Sequence, residues 1–144
     1  MENKITVREV APLLRLVVLR LARLLRVERG KSALSNNKIT ILSNLAREKD
    51  GSPSRIAFEE SQHLQSLTRP LAELEGDALI RRSIDPIDGR RSVLNITPTG
   101  REALEADMKL RDELLCNMLA GLDDDKFMTF YYAAQIIDQM KVSY

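Results

Sequence analysis

The apolar residues of this chain keep helical spacing as far as Leu74, change to a strand-like pattern between Leu79 and Ile96, and return to helical spacing from Leu104 onward. The middle stretch reads Leu79-Ile80-Arg81-Arg82-Ser83-Ile84, a turn from Pro86 to Arg91, and Ser92-Val93-Leu94-Asn95-Ile96. Two short strands joined by a Pro- and Asp-Gly-containing turn predict one β-hairpin. The chain is thereby restricted to a mainly α fold with a small β-hairpin. At 144 residues it is about one domain long.

The helical stretches have recognisable ends. Apolar residues recur at Val10, Leu13, Leu14, Val17, Val18, Leu21, Leu24 and Leu25, with Arg8, Arg15, Arg23, Arg26 and Arg29 on the other side, so one amphipathic helix is expected from Val7 to about Arg29. After Asn36-Asn37, the residues Ile39, Ile41, Leu42, Leu45 and Ala46 predict a shorter helix that ends by Asp50-Gly51. Ser52-Pro53 is a cap followed by a first-turn proline, starting a helix to about Glu60. The next helix is HLQSLTRPLAELEG, in which Leu64, Leu67, Leu71 and Leu74 share one face while Gln65, Ser66, Arg69 and Glu73 project from the other. Thr97-Pro98 repeats the cap-plus-proline start, and Leu104, Met108, Leu115, Met118, Leu119 and Leu122 form a stripe that Arg111 interrupts. Asp123 caps a last helix with Phe127, Phe130, Tyr131, Ala134 and Ile137 on its apolar face.

Charge and composition exclude several classes. The net charge of +1 conceals eight basic residues and three acids in 1–31, against five basic residues and nine acids in 98–144. Opposite charge at the two ends favours packing of those ends, and anion binding has to rely on a local patch. Cys116 and His63 are single examples of their kind, so cofactors and metal sites are expected to be absent, and Cys116 reads as a structural thiol. There is no Gly-rich phosphate loop, no Gly-x-Ser-x-Gly and no Cys-His pair, so an enzyme is not expected. The start MENKITVREV lacks a signal-peptide pattern and no apolar run approaches the length of a membrane span, which predicts a cytoplasmic protein without membrane contact.

Helix, helix, short helix, turn, helix and hairpin is the order of a winged helix-turn-helix. A duplex groove admits one helix, whose leucines fix its angle while polar and arginine side chains reach base edges and phosphates. Arginines of the hairpin can reach flanking phosphates or a narrow minor groove. Double-stranded DNA is therefore the expected partner.

Specific residues point the same way. Leu74-Glu75, Leu79-Ile80-Arg81-Arg82, Asp85-Pro86-x-Asp88-x-Arg90-Arg91 and Leu94-x-Ile96-Thr97-x-x-Gly100 resemble the wing signature of the MarR family of bacterial transcription regulators. Ala57-x-x-Glu60 followed by Gln65-Ser66-Leu67-Thr68-Arg69 resembles the helix-turn-helix of one branch of that family. The resemblance implies a single domain over 1–144, with dimerisation helices in 1–35 and 98–144 and a DNA-binding lobe in 36–97. It implies a homodimeric regulator, a repressor by preference, on a pseudo-palindromic operator, released by a small aromatic or phenolic anionic effector. Carried over by position, Gln65, Ser66, Thr68 and Arg69 are recognition-helix contacts, Arg90 is the wing-tip arginine and Asp88 the acid that holds the tip. Arg91, Ser54 and Arg55 are candidate phosphate contacts. Ala78 stands where the family usually has Gly; a left-handed backbone there costs alanine about 1 kcal/mol, unless Gly76 takes the turn. Pro70 costs the helix a backbone bond unless the helix starts close to Ser66.

Other readings stay open for single residues. Arg81, Arg82, Arg90 and Arg91 can protect an exposed strand edge, and Arg69 can pair with Glu73 at i,i+4. Arg111 needs a partner, at a dimer interface or as part of an anion pocket. The alternative for the whole chain is a winged-helix protein-interaction module without DNA binding.

Overall fold

Side-chain caps set the start of four helices. Ser35 Oγ accepts from Lys38 N at 3.3 Å, Ser52 Oγ from Arg55 N at 3.2 Å, Thr97 Oγ1 from Gly100 N at 3.0 Å and Asp123 Oδ1 from Lys126 N at 2.9 Å. The computed structural model describes residues 5–27, 34–48 and 51–140. Lys4, Arg29, Lys31, Glu2, Glu28, Asp50 and Lys141 lie outside the described residues. In order come α1 (Val7–Val27), α2 (Asn36–Arg47), α3 (Pro53–Glu59), α4 (Leu64–Gly76), β1 (Ile80–Ile84), β2 (Ser92–Ile96), α5 (Pro98–Leu119) and α6 (Asp124–Gln139). This is a winged helix-turn-helix flanked by long helices, as the sequence pattern predicts.

The core gathers Ile41, Leu42 and Leu45 of α2, Ile56 and Ala57 of α3, Leu67, Leu71 and Leu74 of α4, and Leu79, Ile80 and Leu94 at the base of the hairpin. Large apolar side chains buried this way contribute about 1.5–3 kcal/mol each. Ala103 and Leu104 of α5 pack on the edge of this cluster. Leu64 departs from the predicted seam: it is the first residue of α4 and stays half exposed.

The strands pair antiparallel, Ile80 opposite Ile96 and Ile84 opposite Ser92. In β1 only Ile80 is buried, so the base of the hairpin enters the core and the rest stands out as a wing. Gly51 fastens that wing to the start of α3: Gly51 N donates to Leu94 O at 3.0 Å and Leu94 N donates to Gly51 O at 2.7 Å. A Cβ at Gly51 would collide with the Leu45 side chain, which explains glycine there. Ala78, not Gly76, takes the left-handed turn, with φ 57°, and its carbonyl accepts from Thr97 Oγ1 at 2.7 Å. Gly76 remains the last residue of α4.

Pro70 is the seventh residue of α4, too far along for the loss of its N–H to be harmless. The carbonyl of Ser66 therefore has no i+4 donor, although the helix continues to Gly76. Arg111 finds partners within its own subunit. Its Nε donates to Asp107 Oδ1 at 2.8 Å and its Nη2 to Asn36 Oδ1 at 3.2 Å, while Asp107 Oδ2 accepts from Leu34 N at 2.9 Å. Asp107 is buried, and this cluster ties α5 to the start of α2.

The outer helices are covered far less. In α6 no residue is buried, and Phe127, Phe130, Tyr131 and Ile137 are about half exposed. Val10, Leu13, Val17 and Val18 of α1 are exposed in the same way. Among the described residues no helix is long and apolar enough to cross a membrane.

Candidate nucleic-acid interface

Helix α4 turns Leu67, Leu71 and Leu74 into the core and leaves Gln65, Ser66, Thr68 and Arg69 exposed on its other side. The four predicted contact residues thus share one accessible face. Ser66 Oγ donates to the carbonyl of His63 at 2.9 Å, which closes the first turn where His63 supplies no side-chain cap. Arg69 forms the predicted helical pair: its Nε donates to Glu73 Oε1 at 2.8 Å. Glu73 also meets Lys38 Nζ of α2 at 2.9 Å. The hydrogen bond to Arg69 chiefly, then that to Lys38, holds the Glu73 carboxyl below its ordinary value, and the same bond raises the Arg69 guanidinium.

The wing tip is organised by two aspartates. Asp85 Oδ1 accepts from Ile87 N at 2.8 Å and from Asp88 N at 3.3 Å, and these backbone donors lower its pKa, Ile87 first. Asp88 Oδ1 accepts from Arg90 N at 3.1 Å, and Asp88 O from Arg91 N at 2.9 Å. Asp88 therefore grips the backbone of the tip, leaving the arginine side chains outside the turn's hydrogen bonds. Arg90 and Arg81 enter no ion pair among the described residues, whereas Arg82 Nε lies 3.3 Å from Glu75 Oε2.

Arg90 and Arg91 share a recess of about 270 Å³ with Ser52, Pro53, Ser54 and Leu64. A neighbouring recess of about 470 Å³ runs between the start of α3 and the wing, bordered by Ser54, Arg55, Asp85 and Arg91. The start of α3, the start of α4 and the wing tip are thus one continuous surface. Ser54, Arg90 and Arg91 lie together on it. Arg55 borders it but is already engaged: its Nε contacts Glu59 Oε1 at 2.8 Å and its Nη2 contacts Glu48 Oε2 at 3.2 Å. The Glu59 hydrogen bond and then the Glu48 charge raise its pKa. Glu59 is fixed in turn by the buried Asn44, whose Nδ2 donates to Glu59 Oε2 at 2.7 Å.

Three supports of this surface escape a sequence reading: Asp85 as holder of the turn, the Gly51 bridge, and the Lys38–Glu73 link between α2 and α4. Asp85 carried a local signal, since an Asp ahead of Pro-x-Asp-Gly is a common turn opener. The other two join residues distant in sequence. Among the described residues no three His, Cys, Asp or Glu side chains gather as a metal site would require, and Cys116 is an exposed free thiol.

A helical face and a cationic wing on one accessible surface define a DNA-binding winged-helix protein. Sequence relatives carry that class to a family. The chain is 33% identical over 124 residues to an HTH-type transcriptional regulator of Mycobacterium leprae, ML2140, covering 86% of this chain and 87% of that protein. Its fold matches wild-type MarR from Escherichia coli, in the apo form, with TM-score 0.75 and 20% identity over 94% of this chain and 98% of that one. It matches BpsR from Bordetella bronchiseptica with TM-score 0.70 and 18% identity over 98% and 99% of the two chains. No family model matches the chain. The chain belongs to the HTH-type transcriptional regulators, as its sequence relatives show, and it has the winged-helix fold of MarR.

Proposed function

We propose that this DNA-binding regulator acts as a homodimeric repressor that reads a pseudo-palindromic operator with two α4 helices and two wings. The observation that carries the reading is the shared surface of α4, the start of α3 and the Arg90–Arg91 tip. Gln65, Ser66, Thr68 and Arg69 enter the major groove, and Arg90 follows the flanking minor groove or its phosphates. Arg91 and Ser54 contact phosphate at the border of the groove. Arg55 does so only by exchanging one of its two acids for a phosphate, so it contributes less. Phosphate contacts supply affinity and base contacts supply sequence choice.

The coverage of the helices supports a division into a lobe of 36–97 and dimerisation segments of 1–35 and 98–144. Apolar faces of α1 and α6 exposed in one subunit are what a second subunit would bury. Arginines of α1 and the acids Asp123, Asp124, Asp125 and Asp138 of the C-terminal segment favour that packing. DNA binding by BpsR is regulated by 6-hydroxynicotinic acid. A small aromatic anion acting on this chain would have to favour a spacing of the two α4 helices that no longer matches half-sites one helical turn apart.

Footprinting on a duplex selected by the protein tests the reading. The expected result is two protected half-sites about 34 Å apart, with binding that weakens steeply as salt rises. Micromolar or weaker affinity for every duplex at low salt would replace it with a winged-helix protein-interaction module.

A further inference from the structure

Glu73 is an acid beside the face that is to approach a polyanion, and simple charge economy argues against it there. Its two oxygens are nevertheless both engaged. Oε2 meets Lys38 Nζ at 2.9 Å, and Lys38 is mostly covered, with 18% of its side chain exposed. Oε1 accepts from Arg69 Nε at 2.8 Å, while the Arg69 side chain is 90% exposed. One end of the carboxylate is thus anchored on α2 and the other holds an arginine that projects from α4.

Using Nε leaves a particular part of the guanidinium outward. The two terminal nitrogens, which have no partner among the described residues, present parallel N–H groups in one plane. That fork matches O6 and N7 of guanine in the major groove, the commonest specific contact of arginine. An arginine held by its Nε also loses less side-chain freedom on docking. The same carboxylate lowers the attraction of Arg69 for a phosphate, because its charge is already compensated and Glu73 repels the backbone.

We infer that Glu73 is a positioning and specificity-determining residue: anchored on Lys38, it aims the Arg69 guanidinium at one guanine per half-site and turns it away from phosphate. This rests on the DNA-reading role proposed above. Glu73 acts through Arg69 and touches no base itself.

Selection from a pool of randomised duplexes, with the full chain as wild type, Arg69→Ala, Glu73→Gln and Lys38→Met, tests the inference. Wild type should enrich a guanine at one position of each half-site by about 5- to 150-fold over other bases, the ratio a bidentate pair supplies. Arg69→Ala should abolish that preference. Glu73→Gln should reduce it about fivefold or more while raising affinity for random duplex about two- to threefold, because an acid has left the interface. Lys38→Met, which frees one end of the carboxylate while the Arg69 pair remains, should weaken the guanine preference, by less than Glu73→Gln does. The inference is overturned by a guanine preference that Glu73→Gln leaves undiminished or that Arg69→Ala leaves in place. It is also overturned if Lys38→Met leaves the preference unchanged, since the anchor on α2 would then contribute nothing to the aim of Arg69. A wild type that enriches no sequence at all brings down the DNA-reading role itself, a result distinct from either.

Discussion

The lobe from α2 to β2 and the outer helices α1 and α6 treat apolar residues in opposite ways. In the lobe, Ile41, Leu42, Ile56, Leu74 and Leu94 are fully buried within the single subunit. In α1 and α6, Leu13, Val18, Phe130 and Ile136 are at least half exposed. Both regions carry comparable helical stripes in sequence. The difference shows that periodicity reports a face that wants cover, while the source of that cover depends on what the rest of the chain can bring to it. The lobe covers itself with three helices and a hairpin base; the apolar faces of α1 and α6 are left uncovered within the subunit.

Substitutions sharpen the contrast. The largest effect is expected from Leu74→Ala, which opens a cavity in the lobe and should lower stability by about 2–5 kcal/mol in urea unfolding. Phe130→Glu, at a half-exposed site of α6, should leave the lobe folded and shift the protein from dimer to monomer in sedimentation. If that variant stays dimeric, the α6 face is not the interface and the contrast between the regions has another origin.

A smaller, stabilising change is expected at Ala78. Its φ of 57° is strained for an L residue and free for glycine, so Ala78→Gly should raise stability by up to about 1 kcal/mol. Net destabilisation would show that the loss of chain entropy in glycine outweighs the strain. The smallest effect concerns acid. Asp85 has a lowered pKa in the fold, from the Ile87 and Asp88 N–H groups, so its contribution is complete above the ordinary carboxylate range and is lost only as pH falls through the lowered value. The amide resonance of Ile87 should therefore shift below the usual Asp range while resonances of the lobe core stay put. Simultaneous change in both would mean that the wing and lobe titrate as one unit.

Much of the fold was legible because its determinants are local. Ser52-Pro53, Thr97-Pro98 and Asp123 mark helix starts through hydrogen bonds that span three residues, and the change of period places β1 and β2 within a residue of where they form. Ala78 was legible as a place where strain was at stake, since an alanine in the glycine position stands out against the wing pattern. The site was less so. Gln65, Thr68 and Arg69 face outward because Leu67 and Leu71 face inward, a relation that helical geometry alone supplies. The engagement of Arg55 by Glu48 and Glu59, of Glu73 by Lys38 and of Arg111 by Asn36 depends on how helices are juxtaposed. Such pairings leave no periodic trace, and a sequence offers several acids for every arginine.

Whether the exposed face of α4 and the arginine tip of the wing meet a duplex together is decided by the slope of log affinity against log salt concentration, for wild type and Arg90→Ala on the selected operator. Joint contact requires a steep slope for wild type that becomes shallower by about one unit for each arginine removed. An identical slope and affinity in the two proteins would contradict it, because the wing would then lie away from the DNA.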